Sequence, residues 1–169
     1  MKKCLFVFII VICFAAHLFA QKDTLRLKNN SAYLELLGNG GLVTGIPLSA
    51  NYEHIFKHGR YNDFSVRVGL SLPFYFSVPV LVNQICNPHG KSHLEMGIGG
   101  YVWTNSDIWR GFGVEDYGVA GCFMYRYQKP AGKFLFRFGW TPLFSLYDKH
   151  SVISFFDYFL PGLSAGYSF

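Results

Sequence analysis

Charge is scarce in this sequence: Asp, Glu, Lys and Arg together make up 15% of it, against about 25% in ordinary soluble domains. With 51% hydrophobic residues, that scarcity excludes both an intrinsically disordered chain and a coiled coil. Long apolar runs are missing as well. After the first twenty residues no segment approaches the roughly 20 consecutive apolar residues of a membrane-spanning helix, so no such helix is expected. Cysteine is limited to four residues, and two of them, Cys4 and Cys13, lie in the leader described below. What abounds is aromatic side chains, 18 Phe and 11 Tyr, together with 18 Gly spread along the chain. Glycine is costly in helices but serves curved sheets whose backbones approach closely. The composition points to an all-β protein of one domain.

The start of the chain has the layout of a secretory signal peptide. Lys2 and Lys3 form a positive beginning, an apolar run extends from Leu5 to Phe14, and small residues follow at Ala15, Ala16 and Ala20. Cleavage is expected after Ala20, with Ala16 as the alternative, which divides the chain into a leader over 1–20 and a barrel domain over 21–169. Lipid anchoring is not expected, because Ile12 precedes Cys13 and Lys3 precedes Cys4. Removing Lys2 and Lys3 leaves 13 basic against 10 acidic residues, a net charge of +3. That is too mild to imply a nucleic-acid partner. Cys86 and Cys122 are expected to remain free thiols, since they fall on strands separated by a third and lie beyond the roughly 7 Å a disulfide allows.

The remaining chain alternates apolar and polar residues at period two between clusters of Gly, Asn, Pro and Asp. Over 63–73, Phe64, Val66, Val68, Leu70 and Leu72 share one face and Ser65, Arg67, Gly69 and Ser71 the other. Similar runs cover 92–103, 116–128 and 133–144, with weaker ones at 31–38, 45–56, 76–85 and 158–169. Eight strands of this length predict a closed, up-and-down, antiparallel transmembrane β-barrel. Tight turns are expected near Gly59, from Pro88 to Gly90, and from Pro130 to Gly132. Long connections are expected at 104–115 and 145–157, which places both termini on the periplasmic side.

Residue size decides which face is outside. One face carries large aromatic and branched side chains; the other carries Gly, Ser, Ala, Asn and a few charges, too little apolar volume to fill a soluble barrel of the lipocalin type. The large face is therefore expected to meet lipid. Trp103, Trp109 and Trp140 would form an outer girdle, and Tyr125, Tyr127, Phe134 and Tyr167 an inner one. The ending PGLSAGYSF places Leu163, Ala165, Tyr167 and Phe169 on one parity and resembles the C-terminal signal by which outer-membrane barrels are recognised for insertion. Taken with AYLELLGNGG, LSANYEHIF, SVPVLVNQI, SHLEMGIGGYV and YRYQKPAGKFLFRFGWTPLF, nearly the whole mature chain resembles the small outer-membrane β-barrel domain proteins of Gram-negative bacteria. The resemblance implies the fold and the cell outer membrane. Its lipid and lipopolysaccharide, and the barrel assembly machinery during insertion, would be the partners of a monomer. It implies no catalytic residues.

The inward parity collects Glu35, Glu53, Arg67, Glu95, Arg126 and Arg137, three acids and three bases. With the turns as mirror points, Glu53 should face Arg67, Glu35 should face Glu53, Asn83 should face Glu95, and Arg126 should nearly face Arg137. Buried charge must be paired, and an eight-stranded interior is only wide enough for side chains. The six are expected to form an ionic belt that plugs the lumen, against the blander reading that they solvate a wet interior. His89, Ser92, His93 and Glu95 include the residue types of a hydrolase, but they fall at a periplasmic turn, whereas lipid-modifying barrels work at the outer leaflet. His150 and Ser151, with Asp148 or Asp157, are better placed yet adjacent in sequence. Cys86, His89 and His93 match no zinc spacing. Neither metal nor cofactor is expected. The sequence therefore points to a non-enzymatic barrel with a structural or surface-interaction role; the alternatives are a lipid A deacylase or acyltransferase, or a narrow pore.

Overall fold

In the computed structural model, residues 26–38, 48–72, 75–105, 114–146 and 161–169 are described. The leader, Trp109, His150, Ser151 and most of the two long connections lie outside these residues. The strands are β1 (Asn30–Leu37), β2 (Leu48–His58), β3 (Asn62–Leu72), β4 (Tyr75–Cys86), β5 (Ser92–Asn105), β6 (Val114–Gln128), β7 (Phe134–Trp140), β8 (Leu143–Ser145) and β9 (Pro161–Ser168). From β1 to β7 each pairs antiparallel with the next, while β8 pairs with β6 and β9 with β7. β9 returns to β1, from Ser31 opposite Ser168 to Leu37 opposite Gly162, and the sheet closes.

β7 and β8 are one strand of the barrel. Phe123 faces Trp140 and Ala120 faces Leu143 in one unbroken register along β6. Only Thr141 and Pro142 intervene, and the Pro142 carbonyl still accepts a hydrogen bond from Gly121 N at 2.8 Å. Proline has no N–H to give the ladder, so the assignment breaks while the strand continues. The chain is thus an all-β, closed, eight-stranded antiparallel barrel.

Alternation sets the faces, because successive side chains on a strand point to opposite sides. On β3, Asp63, Ser65, Arg67, Gly69 and Ser71 are buried and Val68 and Leu70 exposed. The same rule exposes Leu34 and Leu36 on β1, Val78, Val80 and Val82 on β4, and Leu163 and Tyr167 on β9. Trp103 departs from the girdle expected of it: it packs with Leu143 against the buried cluster of Leu81, Tyr101, Ala120, Cys122 and Met124. It shares the inward parity of Tyr101, whereas Val102 is exposed. Glycine at 118 makes room for the neighbouring backbone and the Tyr101 ring, because a Cβ there would meet the Phe144 carbonyl oxygen first and Tyr101 Cε1 at 2.8 Å.

The strands tilt, as closure of a barrel requires. Hydrogen-bonded partners lead from Ser168 near the chain's end through Ser31, Glu53, Arg67, Leu81, Gly99 and Ala120 to Leu143, at the opposite end of its own strand. Neighbours across a ladder therefore do not sit at one height in the lumen.

The end that carries Arg26, Phe169 and the three tight turns is shut by an apolar floor absent from the alternating pattern. Residues 26–29 run beneath the barrel, where the Arg26 carbonyl accepts from Ala131 N at 2.9 Å and the Asn29 carbonyl from Ile55 N at 2.7 Å. Leu27 then inserts against Ile55 and Ile85. Ala131 holds a left-handed backbone, φ 54°, which costs a residue with a side chain about 1–2 kcal/mol and aims its N–H at the strap. Leu27→Ala is expected to lower stability by about 2–4 kcal/mol, measured as denaturant unfolding of the barrel.

Candidate functional site

The most organised chemistry lies inside the barrel. Glu35, Glu53, Arg67, Glu95, Arg126 and Arg137 are all fully buried, at 0% exposure. A buried charge is tolerated only with a partner of opposite sign and its remaining hydrogen bonds satisfied, and the pairing follows that demand. Arg67 Nη2 donates to both oxygens of Glu35 at 2.9 Å. Arg126 Nη1 donates to Glu53 at 2.6 Å and to Glu95 at 3.3 Å. Arg137 Nη2 donates to the other oxygen of Glu95 at 2.7 Å.

Neutral side chains extend the shells, while Arg67 Nη1 and Arg137 Nε and Nη1 make no hydrogen bond among the described residues. Ser164 donates to Glu35 at 3.0 Å, Ser65 to Glu53 at 2.6 Å and Asn83 to Glu95 at 3.1 Å. Arg67 Nε reaches Asn51 Oδ1 at 2.9 Å, while Arg126 Nε and Nη2 both reach Gln128 Oε1, at 2.9 and 2.6 Å. Gln128 in turn donates to Ser168 at 3.0 Å, whose hydroxyl lies 2.9 Å from that of Ser31. Every strand of the barrel supplies at least one of these groups.

Tyr33 joins the two halves of the network. Its ring lies between the guanidinium groups of Arg67, 5.6 Å from the centroid, and Arg137, at 4.6 Å. Cation–π attraction strengthens where water is excluded. Tyr33 was not among the expected site residues, although its alternation with Leu34 already placed it inward. Asp63 is a further buried acid at the floor. It accepts from Gly59 N at 3.2 Å and lies 2.9 Å from His58 Nδ1, which ties down the β2–β3 turn.

The registers correct part of the expected facing. Glu53 does face Arg67, and Arg126 faces Arg137. Glu35 faces Ser49, however, and Glu53 faces Ser31 rather than Glu35. Glu95 faces Ile85, and Asn83 faces Gly97, so Asn83 reaches Glu95 on the diagonal. Nor does Glu53 bind its ladder partner Arg67; each instead finds its counter-charge elsewhere in the lumen.

The hydrolase-like set is not gathered. Ser92 hydrogen-bonds Tyr125 Oη at 2.7 Å on the outer face, while His93 is buried between the Asn87 and Gln128 carbonyls, at 2.8 and 2.9 Å. Consecutive strand residues point to opposite sides, which separates the two. Cys86 and Cys122 are both free, on opposite faces of the sheet. Among the described residues, no group of three His, Cys, Asp or Glu side chains is placed to hold a metal ion. Leu163, Ala165, Tyr167 and Phe169 share the outer face of the final strand.

Comparison with family models, with curated proteins and with solved structures finds no match to this chain.

Breaking one buried pair leaves its partner charged and unsatisfied, so Arg126→Met, which strands Glu53 and weakens the hold on Glu95, is expected to cost about 3–5 kcal/mol. Removing both members of the Arg67 and Glu35 pair, as Arg67→Met with Glu35→Leu, is expected to cost much less than either alone; unfolding midpoints of the three variants check it. Tyr33→Phe keeps the ring between two guanidinium groups and is expected to lower the midpoint less than Tyr33→Leu.

Proposed function

We propose that this chain is a small integral outer-membrane β-barrel protein, with a closed lumen and a structural or surface-interaction role. The observation that carries the reading is its inverted distribution of polarity. The described Asp and Glu side chains, Glu35, Glu53, Asp63 and Glu95, are buried, whereas Leu34, Val80, Ile98, Phe123, Phe138 and Trp140 stand exposed at 40 to 67%. These six come from five different strands, β1, β4, β5, β6 and β7, so the apolar surface runs round the barrel. In water it would form a patch far larger than soluble monomers carry; against hydrocarbon it is what a spanning barrel requires.

The leader-like residues 1–20 and the aromatic ending support export and insertion at the same membrane. The apolar floor of Leu27, Ile55 and Ile85 beneath the ionic belt supports a plugged interior over a pore. Surface interaction would fall to the long connections between β5 and β6 and between β8 and β9.

Two measurements test the reading. The mature chain is expected to stay folded and monodisperse only in detergent or lipid, and to give no stable conductance steps in planar bilayers. A folded, monomeric protein in plain buffer would remove the membrane assignment, and a large steady conductance would remove the plug.

A further inference from the structure

With Asp63 buried, the side-chain charge described at the surface of the closed end has one sign. Arg67, Arg126 and Arg137 are buried in the lumen; the other described Lys and Arg residues are Arg26, Lys28, Lys57, Arg60, Lys91, Lys129 and Lys133. Lys28 is half-buried and the other six are exposed. All seven lie at the closed end. Arg26 and Lys28 belong to the strap, Lys57 and Arg60 flank the β2–β3 turn, Lys91 ends the β4–β5 turn, and Lys129 and Lys133 bracket the β6–β7 turn. Among the described residues of this end the acid, Asp63, is buried and does not offset them at the surface.

These cations form a ring around the perimeter and sit at the edge of the apolar belt. Lys133 Nζ lies 5.9 Å from the centroid of Tyr167, the last aromatic of β9, and Lys57 Nζ lies 5.9 Å from that of Phe64, the first aromatic of β3. Arg60 stacks on Tyr61 at 5.3 Å. Long basic side chains lay their stems on apolar surface and hold the charged head where water begins. On the same rim the Tyr52 hydroxyl donates to Asn30 at 2.9 Å. A compact anionic ligand would need converging cations. This ring diverges outward from the barrel wall and matches a plane of phosphates encircling it.

We propose that the closed-end rim is a binding surface for the phosphate headgroups of anionic phospholipids. The inference rests on the membrane reading above and adds the headgroup class that this end of the barrel selects.

The test uses the full mature chain reconstituted in zwitterionic phosphatidylcholine bilayers carrying a trace of spin-labelled lipid. Spin-labelled phosphatidylglycerol is expected to associate with the barrel roughly fivefold or more over spin-labelled phosphatidylcholine, the equivalent of one full cation–headgroup contact. The preference is expected to fall towards unity in the combined variant Lys57→Gln, Lys91→Gln, Lys129→Gln, Lys133→Gln, none of which touches the ionic belt, and in about 1 M salt. Insertion with no preference, or a preference undiminished in that variant, overturns this inference and leaves the barrel reading intact. No lipid preference together with retention on a heparin column would assign the rim to a soluble polyanion instead. Failure to enter the bilayer removes the membrane assignment and this one with it.

Discussion

Charge pairing inside the lumen is the constraint on which the rest of the structure depends. Six fully buried ionisable groups are tolerable only if each meets its opposite, and the shortest ion pair each Arg makes is to a strand that is not its ladder neighbour. Arg67 on β3 binds Glu35 on β1, and Arg126 on β6 binds Glu53 on β2. In an open sheet β2 and β6 would be separated by three strands; curling into a ring brings their inner faces together. Closure and pairing therefore require each other. Replacing such pairs by apolar groups is often neutral or stabilising, so their value lies in selection. A one-residue slip of any strand would carry Arg or Glu into the exposed apolar belt and bring Phe or Val into the lumen.

The same arrangement explains why overall composition describes the surface poorly. A net charge of +3 over residues 21–169 reads as nearly neutral, but the lumen is balanced by itself, with three Arg against Glu35, Glu53 and Glu95, and Asp63 is held at the floor. The closed end of the described barrel thus keeps its basic residues at the surface while its acid is buried. Polarity in this chain is sorted first by strand parity and then by which end of the strand a residue occupies. Net charge records neither.

Parity was legible because it is local. Alternation in 63–73 and 133–144 separates Val68 from Arg67 and Phe138 from Arg137 with no knowledge of the partner strand. The facing of Glu53 and Arg67 was also legible, since a tight turn near Gly59 fixes that register. Registers across longer connections were not. Glu35 was expected to face Glu53 and faces Ser49, because the sequence between β1 and β2 does not say how many residues each strand takes from the connection. Ion pairs that cross the lumen depend on tilt and closure, which no single strand encodes. Leu27 lay outside any periodic run, so nothing local marked it as part of the floor. Trp103 is different: its alternation with Val102 already placed it inside, and grouping it with outward tryptophans put residue type ahead of position.

Floor and belt also support one another. Ile55, Ile85, His93 and Gln128 lie one inward step nearer the turns than Glu53, Asn83, Glu95 and Arg126, so the apolar plug is stacked directly on the ionic layer. Excluding water from that side lowers the local dielectric and strengthens each ion pair. It also raises the cost of any charge left unpaired. The belt in turn fixes the positions of β2, β5 and β6, and those strands carry Ile55 and His93 and place the Gln128 carbonyl that His93 reaches. Loss of either layer would weaken the other, and for that reason the closed end should behave as one cooperative unit rather than as a cap resting on an independently stable barrel.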